Sequence, residues 1–205
     1  VLRFYISNIR FYKKDSLVYQ EQKSFHLCDA SIPNSNRFLM SKSENVTFDK
    51  FQFDLGIDST TNVSGAMGGA LDPTNGMYWT WQSGYIQFKL EGLLRDSAGE
   101  RKLELHLGGF EGENKTSMAF YGFFLDAIHG GKRPSKRNLG FVWSLDSLLL
   151  NLGDEVRVMS PSSAGHRYCS LVAKGIHEDW VDDEISVSPR HRNVLNSVRR
   201  RNRLE

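Results

Sequence analysis

A chain of 205 residues, 40% hydrophobic and 24% charged, has the composition of an ordinary globular protein with one sizeable core. Its formal net charge of +2 hides an asymmetry: residues 189–205 hold six Arg and one acid, so everything before them is mildly acidic. No apolar run reaches the roughly 20 residues of a membrane helix, and Cys28 and Cys169 stand in such different contexts that they read as independent thiols rather than a disulfide.

The chain opens on VLRFYISNIRFY, which already reads as a strand interior, so a native N-terminus with an export signal is expected ahead of it. Phe4, Ile6, Ile9 and Phe11 are apolar on both phases, which predicts a strand covered on both faces. SFHLC, residues 24–28, is a second short strand. In FQFDLG, Phe51, Phe53 and Leu55 alternate with Gln52 and Asp54, the pattern of a half-buried strand. From Asp58 to Asn75 the chain is rich in Gly, Ser, Thr and Asn, a long loop of the kind that often carries function.

The stretch NGMYWTWQSGY, residues 75–85, crowds Tyr78, Trp79, Trp81 and Tyr85 together. Its apolar phase changes before Ile86, Phe88 and Leu90. A one-residue bulge at Ser83-Gly84 would reconcile the two phases, so one long bent strand is expected here. In KLELHLGG, Leu103, Leu105 and Leu107 share one face, and Glu104 and His106 the other. TSMAFYGFFLDA and GFVWSL are further strand candidates. SLLLNL predicts a short helix. Ser160 and Pro161 open another, carrying Ala164, Tyr168, Leu171 and Val172 before Gly175. Past Ile176 an acidic and then an Arg-rich segment shows no buried face. The expected architecture is all-β: an antiparallel, Greek-key-like β-sandwich over residues 1–176 with one or two short C-terminal helices, followed by a charged tail over 177–205.

For each chemical candidate there is a plain structural use. The Trp pair can simply fill a core, which is the commoner duty of so large a side chain. It can also stack on sugar rings, or carry a one-electron oxidation. His106 lies mid-strand opposite its leucines, and His26 sits in FHLCD. If their strands are neighbours, the two imidazoles make a nitrogen site suited to Cu or Zn, although no HxH, HExxH or CxxC spacing supports one. Asp54, Asp58, Asn62, Asp72 and Asn75 offer oxygens without an EF-hand spacing, and turn formation explains them better. Asp29 and Glu91 read as strand ends with nothing pairing them as an acid and a base. With no nucleophile elbow, P-loop or dinucleotide fingerprint, the chain does not read as an enzyme. The Arg-rich tail lacks the aromatic interleaving of a nucleic-acid binder.

The run FYISNIRFY, FHLCDAS, FQFDLGID, NVSGAMGGALDPTNGMYWTWQSGYIQFKLEG and HLGGF resembles the MbnP-like family, exported bacterial proteins linked to methanobactin and copper handling, in the branch common in Bacteroidetes. The resemblance runs from about residue 3 to about residue 176. It implies a periplasmic or surface-exposed β-sandwich in which a Trp is oxidised to kynurenine by a di-haem partner of the MauG type, with copper held by His nitrogens beside it. The family's Trp-x-Trp motif maps onto Trp79 and Trp81, with Tyr78 and Tyr85 flanking, and the His of its HxG motif onto His106. Relatives of another branch carry Asn-His where this chain reads Asn62-Val63, so one nitrogen is missing, and His26 is the candidate to replace it. The rival expectation is a non-catalytic surface or adhesion module whose aromatics contact a glycan or a protein.

Overall fold

The computed structural model describes residues 1–37, 48–80, 83–96, 99–110, 116–123, 142–143, 157–160 and 176–177. The expected helices over SLLLNL and after Ser160, Trp81 and the tail beyond His177 lie outside the described residues. Within them the chain is an all-β, largely antiparallel sandwich-class fold with very little helix.

The strands are β1 (Leu2–Lys13), β2 (Ser16–Gln20), β3 (Phe25–Asp29), β4 (Lys50–Leu55), β5 (Tyr78–Thr80), β6 (Gly84–Asp96), β7 (Gly99–Gly108), β8 (Met118–Phe123), β9 (Val142–Trp143), β10 (Arg157–Ser160) and β11 (Ile176–His177). The main sheet runs β10-β7-β6-β1-β4-β8, with β2 and β3 also on β1 and β5 on β6. One pairing departs from the antiparallel rule: β10 runs parallel to β7.

β1 is the hub. Its first half pairs with β3 and β6, its second half with β2 and β4. The handover occurs at Asn8, a non-glycine at φ 53°, where the β1–β4 register slips between Ser7 and Arg10. Ser7 steadies this corner by donating to the Gly56 carbonyl at 2.7 Å, and Asn8 by donating to Asp54 at 2.8 Å. Apolar clusters form on either side of this corner among the described residues. Ile9, Phe11, Phe51 and Phe53 form one; Tyr5, Ile57, Leu71, Met77, Tyr85 and Ile86 form another, with Phe25, Leu27, Tyr78 and Trp79 packed on it. β1 is covered on both faces as its sequence predicts: Tyr5 and Ser7 are fully buried, and Phe4 on the other face stacks on Phe88 at 6.3 Å. Cys28 is a buried free thiol, pushed up to about 11 by burial.

The aromatic stretch is not one bent strand. β5 and β6 are two antiparallel strands, pairing Tyr78 with Tyr85 and Thr80 with Gly84. Gly84 permits the reversal because it sits at φ +69° and because the Asn62 amide occupies the place a Cβ would take. The phase change is real, but bulges elsewhere produce it. The β5–β6 register slips by one between Tyr78 and Thr80, making Trp79 the extra residue. The β6–β7 register slips between Ile86 and Phe88, making Gln87 the extra residue. Gln87 turns inward, and its side-chain oxygen accepts the Ile57 N–H at 2.6 Å.

Between Asp58 and Asn75 the chain folds into a short helix, α1 (Ser59–Val63), and two 3-10 turns. Asp58 caps α1 by accepting from the Thr61 N–H, and Asp72 caps the second turn by accepting from the Thr74 N–H. Asn62 and Asn75 are likewise committed, to the Tyr85 N–H and to the Gly69 and Ala70 carbonyls. These oxygen-bearing residues shape turns, as their plainer sequence reading has it.

Candidate functional site

Residues directly opposite in a sheet project to the same face, so the register decides which side chains can meet. One row crosses Asp29 on β3, Arg3 on β1, Lys89 on β6 and His106 on β7. The adjacent row crosses Cys28, Phe4, Phe88 and Leu107, and it projects to the opposite face. His26 pairs with Ile6, two residues from Phe4, and so belongs with this second, apolar row. The register therefore places His26 and His106 on opposite faces. Their local partners differ too. His26 Nε2 meets Glu21 at 2.8 Å, beside Ser24, which donates to the same carboxylate oxygen. The structure does not bring the two imidazoles into one site. Among the described residues no group of three or more His, Cys, Asp or Glu could hold a metal ion.

His106 is 7% exposed. Its Nε2 lies 2.7 Å from Glu91 Oε1, a diagonal contact across the β6–β7 ladder, and its Nδ1 is buried with no hydrogen-bond partner. Glu91 is not a strand end. It sits within β6 and also takes Lys89 Nζ at 3.3 Å. Burial pushes its carboxyl upward, but the hydrogen bonds from His106 and Lys89 outweigh burial and hold it below the usual range.

Two residues beyond His106 on the same strand, and hence on the same face, Gly108 opens a seat for Trp79. A Cβ built on Gly108 would meet the indole at 2.5 and 3.1 Å and the Tyr85 carbonyl at 2.8 Å. The missing side chain of the HLG glycine thus leaves room for the edge of the Trp79 ring against the strand, two residues from the histidine. The bulge at Trp79 aims the ring there. This brings the two sequence motifs to one side of the sheet: the Trp79 ring packs on Gly108, on the face of β7 from which His106 also projects.

The tyrosines form the wall behind. Tyr78 contacts Tyr85 edge-on at 4.7 Å, and Tyr5 contacts it at 6.1 Å. The Tyr85 hydroxyl accepts from the Met67 N–H and faces the Leu71 and Gly65 carbonyls at 2.9 and 3.2 Å; that of Tyr5 donates to the Ala70 carbonyl. Burial raises both phenols above their ordinary value, and carbonyl acceptors cannot take a proton. These two rings pin the Gly-rich loop in place. Arg3 fastens its end, bonding Asp29 at 2.6 Å and the Asn75 carbonyl at 3.0 Å.

The MbnP family model matches residues 1–147. The chain belongs to the MbnP family. No curated protein and no solved structure matches it. In this MbnP-family chain β1, β3, β4 and the β5–β7 unit all fall within the matched residues, so Trp79 and His106 lie inside the matched region. No helix among the described residues is long and apolar enough to cross a membrane. The sequence singles out Trp79 and His106, but it gives Glu91 no partner, Asn62 only a turn-forming duty and Gly108 no role. The signal for Glu91 was present: Lys89 and Glu91 on β6 repeat the same polar phase as Glu104 and His106 on β7.

Proposed function

We propose that this MbnP-family protein is an exported copper-handling protein, with His106 ligating copper through Nδ1 and Trp79 as the residue oxidised beside it. The observation that carries the reading is the buried, unpartnered Nδ1 on the face that Trp79 shares. A buried lone pair without a donor is uncommon in a native interior, and an imidazole nitrogen is a good copper donor. An intact indole is no ligand, because its N–H only donates. Opening it changes that. An external oxidant of the peroxide-fed di-haem class cleaves the pyrrole C2–C3 bond and inserts two oxygens, while two peroxides are reduced to water. Hydrolysis then releases the formyl carbon as formate and leaves an aryl amine with a free lone pair.

The described residues fit such a site in part. They offer one imidazole and one latent amine, and His26 does not join them. A site of few nitrogen donors suits Cu(I), which accepts low coordination numbers, better than Cu(II). The glycan-stacking alternative draws no support from Trp79, whose ring is half-buried against the core and closed on one side by Gly108.

Tandem mass spectrometry after co-expression with a di-haem partner tests the proposal. Kynurenine at Trp79 is the expected result. An unmodified Trp79, in protein that also carries no copper, would remove it.

A further inference from the structure

We infer that Glu91 is a positioning residue that fixes the tautomer of His106 and thereby chooses Nδ1 as its ligating atom. The inference rests on the proposed copper site but makes a separate claim, about the metal-free protein.

An imidazole has two nitrogens, and the partner of one decides the state of the other. Here the partner of Nε2 is a carboxylate oxygen at 2.7 Å, which can only accept, so Nε2 must carry the proton. In the neutral ring Nδ1 is then a bare lone pair. Its burial without a partner fits this assignment, since an orphaned acceptor is better tolerated than an orphaned N–H. The opposite tautomer would set two acceptors against each other at 2.7 Å and leave a buried N–H unsatisfied, two penalties together.

Glu91 is itself held in place. Lys89 on the same strand and face lies 3.3 Å from the same oxygen that His106 uses. Glu104, directly opposite Glu91 on β7, is engaged by Lys102 at 2.6 Å, so the second carboxylate of that row is partly neutralised rather than competing for the imidazole. The face is thus ordered outward from the candidate site: free Nδ1, ring, Nε2–H, Glu91, Lys89. A carboxylate behind a ligating imidazole orients the ring and raises its basicity. The sequence puts Glu91 and His106 each in the polar phase of its own strand, but the pairing itself is a diagonal set by the β6–β7 register, which the Gln87 bulge offsets.

The test is the imidazole nitrogen spectrum of ¹⁵N-labelled, metal-free protein at neutral pH, for wild type, Glu91→Gln and Glu91→Leu. Wild type is expected to show His106 as the Nε2–H tautomer. Glu91→Gln keeps an accepting oxygen in the same place and should retain that tautomer. Glu91→Leu should lose it, giving a mixture or a switch to Nδ1–H. With the metal present, Cu(I) affinity should fall by about 10–100-fold in Glu91→Leu and by less in Glu91→Gln. Wild-type His106 found as Nδ1–H overturns the inference without any variant having to fold. An unchanged tautomer in a folded Glu91→Leu protein also overturns it. If wild type is Nε2–H and binds no copper, Glu91 keeps its role and the copper reading fails. If copper binds and wild type is Nδ1–H, the copper reading stands and this inference fails.

Discussion

Gly108→Ala is the sharpest perturbation of the proposed site, because one methyl group would have to occupy space already filled. Gly108 has no left-handed backbone requirement, so the cost is steric. The added Cβ would lie 2.5 Å from the Trp79 ring and 2.8 Å from the Tyr85 carbonyl, inside any real contact distance. Overpacking of this kind costs about 1–3 kcal/mol, against which alanine's smaller unfolded-state entropy returns roughly 0.4–1 kcal/mol. A net loss near 1.5 kcal/mol corresponds to a fall of roughly 3–6 °C in Tm for a chain of this size. The Trp79 indole N–H resonance, assigned through Trp79→Phe, should move as the ring is displaced. In a Trp79→Leu background the penalty should shrink by about 1 kcal/mol but not vanish, since the Tyr85 carbonyl remains. A Gly108→Ala protein with wild-type Tm and an unmoved Trp79 resonance would refute the packing on which the site depends.

Tyr85→Phe should destabilise by about 1–3 kcal/mol, because it leaves the Met67 N–H without its phenol acceptor and removes the donor facing the Gly65 and Leu71 carbonyls. Hydrogen exchange at the Met67 amide should accelerate while amides in β7 stay protected, and uniform acceleration across both would contradict a local pinning role. For Asp29, burial raises the carboxyl, but hydrogen bonds from Ser31 and Arg3 outweigh it and hold it below the ordinary value. A depressed carboxylate contributes stability that is complete above its unfolded value, about 3.9, and lost as pH falls through the lower folded one. Asp29→Asn should therefore flatten the fall in Tm below about pH 4. Parallel Tm–pH curves for the two proteins would count against the Arg3–Asp29 link.

The strands whose apolar residues alternate cleanly were legible from sequence. Phe51, Phe53 and Leu55 in β4, and Leu103, Leu105 and Leu107 in β7, are all buried as their spacing requires. The aromatic hairpin was misread for a physical reason: Trp79 and Gln87 are both extra residues in their ladders, and two offsets in neighbouring strands imitate a single bulge at the turn between them. The turn itself was disguised because its conformation depends on Gly84 meeting Asn62, more than twenty residues earlier. His26 and His106 looked like partners because sequence gives each residue a phase within its own strand but not the face that phase takes in the sheet. Only the pairing of both strands through β1 and β6 separates them. The glycine of HLG is visible in sequence, but its purpose is set by a ring arriving from another strand.

Copper binding by protein purified after co-expression with a di-haem partner, compared in wild type, His106→Asn and Trp79→Phe, tests most directly whether Trp79 and His106 form one site. The account predicts bound Cu(I) in wild type and its loss in either single variant while both remain folded. Wild-type copper content in both variants would contradict it.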